Sequence, residues 1–202
     1  MTNASTELTA AFLTVDGWCE AVRSAIDIGC EAGCSACCTI LVSVTLPEAM
    51  ALLENEQGRK AFDRHRDSVE ESARLFFERH PQTKVKPWAA RKQPCPFLEG
   101  DRCSVYRSRP INCRTHLAIE KCRPFQDGNG YVDAREIQHV GYRLAVNAAA
   151  RIGVPFVVGP MHPMLVIADE IMTAGLDAAR KRFGDDMLSP LQAAVFWGWC
   201  ER

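Results

Sequence analysis

Apolar residues recur at helical spacing along most of this chain. Leu8, Phe12, Val15, Cys19, Val22 and Ile26 fall alternately four and three residues apart, which predicts an amphipathic helix over residues 7 to 28. Gly29 and Gly33 then weaken helical continuity, so the helix is expected to fray into a loop. Thr39 to Val44 is β-branched and reads as extended. At Thr45-Leu46-Pro47-Glu48, Thr45 can cap a helix, Glu48 can close a capping box and Pro47 fits the first turn, predicting a helix to about Glu56. Gly58 is expected to separate it from a charged helix through about Arg79 with Phe62, Val69, Ala73 and Phe76 as its apolar face. Asp133 and Glu136 repeat the capping-box pattern ahead of a stripe of Ile137, Val140, Leu144, Ala148 and Ile152 that ends near Gly153. Helices over 164 to 174 and 176 to 183 follow. Ser189, Pro190 and Gln192 then start a last helix carrying Phe196, Trp197, Trp199 and Cys200. The pattern predicts a mainly α-helical single domain over 1–202, with short irregular or hairpin segments and no internal repeat.

The stretches that break this rhythm carry the cysteines. Cys30, Cys34, Cys37 and Cys38 crowd nine residues, and Cys95, Cys103, Cys113 and Cys122 follow at intervals of seven, nine and eight intervening residues. Four plus four is the arithmetic of tetrathiolate metal binding. Adjacent Cys37 and Cys38 are expected to diverge, so that two neighbouring sites or one multinuclear cluster would use both. Cys34 and Cys37 have the spacing of a metal knuckle. Cys95-Pro96-Phe97-Leu98 with the turn Glu99-Gly100-Asp101 predicts a hairpin that returns Cys103 beside Cys95. Pro110 fits the start of a short helix whose N-terminal amides, with flanking Arg109 and Arg114, favour a thiolate at Cys113. Arg109 and Arg114 are expected to balance sulfur charge. His116, three residues beyond, is the only histidine considered as a ligand, and His65 and His80 read as surface residues. Cys19 reads as a small buried hydrophobe and Cys200 as a spare thiol.

Composition narrows the function classes. At 202 residues the chain can bury a sizeable core without disulfides. Residues 1 to 11 lack a basic leader pattern, so the ten thiols are expected to stay reduced in the cytoplasm. Residues 154 to 166 are apolar but cut by Pro155, Pro160 and Pro163, so no membrane span is expected. Lys plus Arg number 24 against 25 Asp plus Glu, a formal charge of -1 that argues against a nucleic-acid binder. The segment from Pro81 to Pro94, with Lys84, Lys86, Trp88, Arg91 and Lys92, reads as a flap that could meet a protein partner.

The cysteine segments resemble the small bacterial CxxCxxCC proteins, also called YkgJ-like, which are described as zinc- or iron-chelating domains. The matching residues are Cys30, Cys34, Cys37 and Cys38, then Cys95-Pro96-Phe97-Leu98 and the run from Cys103 through Tyr106, Arg109-Pro110 and Cys113-Arg114. The likeness spans roughly residues 30 to 122, with three residues rather than two between Cys30 and Cys34. It implies zinc or iron, including an Fe-S cluster, held by Cys30, Cys34, Cys37, Cys38, Cys95, Cys103, Cys113 and Cys122. A larger relative with a similar cysteine domain looks like a flagellin lysine methylase that uses an iron-sulfur centre, so an Fe-S oxidoreductase or methyl-transfer enzyme stays open beside a structural metal protein and a metal-stapled interaction module. Thiolate ligation suits zinc and iron-sulfur alike. Cys30, Cys34 and Cys37 also have the spacing of radical S-adenosylmethionine enzymes, but that motif opens a βα barrel, whereas here it follows a helix.

Overall fold

A computed structural model describes residues 3–30, 33–40, 42–77, 94–121 and 130–188. Cys122, the turn from Asp127, the flap with Trp88, and the final aromatic helix with Cys200 lie outside the described residues. The protein is mainly α-helical. Among the described residues its helices are α1 (Ala4–Glu7), α2 (Thr9–Ala25), α3 (Leu46–Glu54), α4 (Glu56–Arg64), α5 (Arg66–Phe77), α6 (Ile111–Thr115), α7 (Arg135–Ile152), α8 (Met161–Ala174) and α9 (Leu176–Phe183). Two short antiparallel pairs accompany them: β1 (Ser43–Thr45) with β4 (Val158–Pro160), and β2 (Leu98–Glu99) with β3 (Arg102–Cys103). Among the described residues, no helix is long and apolar enough to cross a membrane.

The first helix begins earlier than its apolar stripe implies. Asn3 caps it through Thr6 N at 2.8 Å, and the Glu54 carboxylate, brought from the end of α3, accepts from Ala4 N and Ser5 N, both at 2.8 Å. A negative charge on free N-terminal amides favours helix there. Leu8, Val15 and Cys19 are buried as their spacing predicts. Ile26, by contrast, is extended and 45% exposed, so the helix stops before the cysteine loop instead of fraying into it.

The capping box of α3 forms in full: Glu48 N donates to Thr45 Oγ1, and Thr45 N donates to Glu48 Oε2 at 2.7 Å. Gly58 does not mark the following break. Asn55 does, by capping α4 through Gly58 N at 3.1 Å, and a second break at His65 divides the expected charged helix into α4 and α5. Phe62, Val69 and Ala73 still face the core.

Two core clusters result. The larger gathers α3, α4, α5, α8 and α9 around Leu46, Leu52, Phe62, Leu165 and Ile167. The smaller joins α1, α2, α6 and α7 around Leu8, Val15, Ile111 and Tyr142. Helix α7 packs most of its expected stripe on the smaller core, with Ala148 buried and Ile137, Leu144 and Ile152 half-buried, but the face is shifted at one position. Val140 is 41% exposed, whereas Gly141, Tyr142, Ala145, Ala148 and Ala149 are buried. A Cβ at Gly141 would stand 3.0 Å from Val15 Cγ2 and 3.1 Å from Ile111 Cδ1. The small residues let α7 approach α2 closely, and that contact outweighs the burial of one valine. The Asp133–Glu136 capping box also does not form: α7 has no side-chain cap, and Asp133 is engaged by Arg135 instead.

On the outer side of α8, Asp169 receives hydrogen bonds from both Arg59 and Arg66. Burial alone would raise its carboxyl, but the two guanidinium groups outweigh burial and hold it below the usual range. A lowered folded pKa contributes stability that is present above the unfolded value, about 3.9, and is lost as pH falls through the lowered one. Asp169→Asn should therefore flatten the fall in urea-unfolding stability between about pH 5 and 2. An unchanged acid limb would show that the cluster contributes nothing.

Candidate metal centre

Among the described residues, three chain segments carry the thiols of the site, and backbone contacts between them set their positions. Gly29 N donates to Ala118 O at 3.0 Å, and a Cβ at Gly29 would fall 2.5 Å from the Glu120 carbonyl carbon. Only glycine permits this approach, which lays Cys30 against residues 116–118: Ala118 N donates to Cys30 Sγ at 3.2 Å, and Cys30 Sγ donates to His116 O at 3.7 Å. A 3₁₀ turn over Ala36–Thr39 carries Cys37 and Cys38, and Cys95 N donates to Cys38 O at 2.7 Å, tying that turn to the next segment. The hairpin forms with Leu98 opposite Cys103. Cys113 lies in α6, which starts after Pro110 and whose first amide, Ile111 N, donates to Glu48 Oε1 at 2.6 Å.

The result is one cavity of about 420 Å³ onto which Cys30, Cys34, Cys37, Cys38, Cys95, Cys103 and Cys113 all open. It sits at the seam of the two cores, with Phe97, Val105 and Met161 contributed by the larger and Leu117 by the smaller. The seven cysteines are free thiols. Cys37 and Cys38 do not diverge as adjacent residues in a strand would: the tight turn lets both face the cavity, and Cys38 Sγ donates to Cys37. Among the described residues, no three His, Cys, Asp or Glu side chains converge on one point in ligand geometry. The donor set is nonetheless almost purely sulfur, the chemistry that suits zinc and iron-sulfur centres.

Protonation follows the surroundings of each thiol. The Cys38 hydrogen bond prevails over burial and, with the Cys37 amide and the nearby Arg109 charge, brings Cys37 down to about 7. Cys38, the donor of that bond, is raised. Burial pushes Cys95 up to about 12, although the Phe97 amide donates to its sulfur. Cys103 is raised by burial in the same way against the Val105 amide. Cys113 lies well above its ordinary value because of burial, which overrides the thiolate preference expected from the short α6.

The two arginines differ in role. Arg114 is 3% exposed in its side chain and is consumed structurally: it pairs with Asp16, donates to Arg109 O at 2.7 Å and to Arg107 O, and covers the Phe12 ring. Its charge is shared with Asp16 while its side chain also lines the cavity. Arg109 lies over the Tyr106 ring at 4.0 Å and keeps a buried Nε without a hydrogen-bond partner. Cys19 behaves as a small buried thiol, donating to Arg114 O at 3.3 Å. His116 lines the cavity while its ring packs on Tyr131 with centroids 4.5 Å apart.

Sequence reasoning missed Met161. Its Sδ accepts from Cys95 Sγ at 3.6 Å on the cavity wall. No local pattern marks it, because the two residues are 66 positions apart and meet only when β4 pairs with β1. A second cavity of about 400 Å³, also unforeseen, adjoins the first and shares Cys37, Cys113 and His116 with it.

A helical scaffold that turns seven thiols onto one cavity has the build of a thiol-chelating domain. The chain belongs to the CxxCxxCC family, described as a "putative zinc- or iron-chelating domain", whose family model matches residues 29–136, more than half of its length. No curated protein and no solved structure matches it.

Proposed function

We propose that this protein binds zinc or iron in the thiol-lined cavity through Cys30, Cys34, Cys37, Cys38, Cys95, Cys103 and Cys113, with Cys122 as the eighth thiolate. The single observation carrying this reading is that the two cysteine segments, remote in sequence, open onto one cavity. Backbone amides donate to Cys30, Cys95 and Cys103, which stabilises sulfur as thiolate once a cation is bound. Arg109, with its orphaned Nε, supplies the remaining positive charge. A bound metal would cross-link the segments, and an iron-sulfur cluster would add one-electron chemistry.

Metal analysis of anaerobically purified protein, with acid-labile sulfide and a visible spectrum on the same sample, tests this. Zinc or iron bound stoichiometrically is the expected result, and iron with matching sulfide and a brown chromophore would assign the cluster. Protein that carries neither metal and takes up neither on reconstitution would overturn the reading.

An enzymatic reading is favoured by the second cavity. A pocket walled by Asn112, His116, Tyr131 and Gln138 that touches the same Cys37 and Cys113 could seat a substrate against the metal centre. The enzyme in this reading is an iron-sulfur oxidoreductase or a methyl-transfer enzyme.

A further inference from the structure

We propose that the cavity also holds a site for a soft monovalent metal ion, Cu(I), with the Cys95 thiolate and the Met161 thioether as its donors. The proposal rests on the metal-cavity reading above and goes beyond it in both the ion and the ligand. Thioether sulfur is not among the usual donors for zinc, which takes thiolate, imidazole and carboxylate. Soft thiolate and thioether sulfurs suit Cu(I).

Cys95 and Met161 form the thiol–thioether pair of this cavity among the described residues. Met161 is 4% exposed and its sulfur stands 3.6 Å from Cys95 Sγ, both on the cavity wall. The thioether is held by rigid elements: Met161 opens α8, directly after β4, and its backbone N donates to Val42 O at 3.0 Å. Cys95 is anchored in turn through its own amide on Cys38 O. Cu(I) accepts low coordination numbers, and two sulfurs 3.6 Å apart need move only slightly apart to bracket one ion.

One Cu(I), one thiolate and one thioether sum to zero, so this pair adds no charge for the arginines of the wall, Arg23, Arg102 and Arg109, to balance.

The test is anaerobic competition of the full chain for Cu(I) against a chromogenic Cu(I) chelator, with zinc affinity measured in parallel. Met161→Leu, close to volume-conserving, should weaken Cu(I) about tenfold, equivalent to ~1.4 kcal/mol, and leave zinc affinity unchanged. Unchanged Cu(I) affinity would overturn the proposal. X-ray absorption at the copper edge of selenomethionine-labelled wild-type chain gives an answer independent of how the variant folds. A Cu–Se shell that disappears in labelled Met161→Leu supports the site, and its absence from wild type overturns it. Zinc or iron uptake without a Cu–Se shell sinks this proposal alone, whereas no uptake of zinc, iron or Cu(I) sinks the metal-cavity reading with it.

Discussion

Stripped of metal by a chelator under reducing conditions, the protein is expected to lose its cooperative melt or to have the midpoint lowered by tens of degrees. Structural zinc on thiolates contributes about 10–16 kcal/mol of apparent free energy, as large as the ~5–15 kcal/mol net stability of a typical domain. In this protein the metal would act at a sensitive place. The thiol cavity lies on the seam between the two cores, and backbone contacts such as Cys95 N to Cys38 O are what join its walls. Without a bound cation, Cys95, Cys103 and Cys113 stay protonated because burial raises them, and the walls keep only packing and a few hydrogen bonds. Calorimetry before and after chelation reads the effect. An unaltered melt in verified metal-free protein would mean that the two cores suffice and that any metal serves chemistry instead of folding.

The second large effect is expected at Glu48, a fully buried carboxylate that serves two helices. Its Oε2 accepts from Thr45 N at the start of α3, and its Oε1 accepts from Ile111 N at the start of α6. Glu48→Ala leaves both amides without partners, each costing about 1–3 kcal/mol, so a loss of about 3–5 kcal/mol is expected in urea unfolding. Glu48→Gln keeps one acceptor and should lose less. Burial raises the Glu48 carboxyl against the opposing hydrogen bonds. A raised folded pKa contributes stability that is fully present below the unfolded value, about 4.3, and is lost as pH rises through the raised one. Glu48→Gln should therefore also remove a decline of stability with rising pH, opposite in sign to the acid limb assigned to Asp169. The variant should in addition loosen Cys113, since α6 carries it. Equal stability of Glu48→Ala and wild type would refute the double-cap role.

Thr45 and Glu48 show how far local sequence reaches. A capping box lies within four residues, and its geometry is dictated by backbone amides that any helix start leaves free, so it was legible in advance. The hairpin between Cys95 and Cys103 was legible for the same reason, since Gly100 and its neighbours define a turn without help from elsewhere. The second carboxyl oxygen of Glu48 was not, because its partner Ile111 is 63 residues away. Arg114 followed the same logic: its place beside Cys113 was legible, whereas its pairing with Asp16, 98 residues away, was not.

The sequence by itself determined the mainly helical composition, most helix positions, the hairpin and the family membership carried by the cysteine segments. Each of these rests on spacing or on contacts between near neighbours. Tertiary structure decided which face α7 buries, where α2 stops, that adjacent Cys37 and Cys38 share one cavity, and that Met161 stands beside Cys95. Those outcomes depend on close approach between distant segments, such as Gly141 against Val15 and Gly29 against Glu120. A linear pattern records which residues are apolar. It does not record which two surfaces fit closely enough to exclude water, and that fit is what selects among faces of similar hydrophobicity.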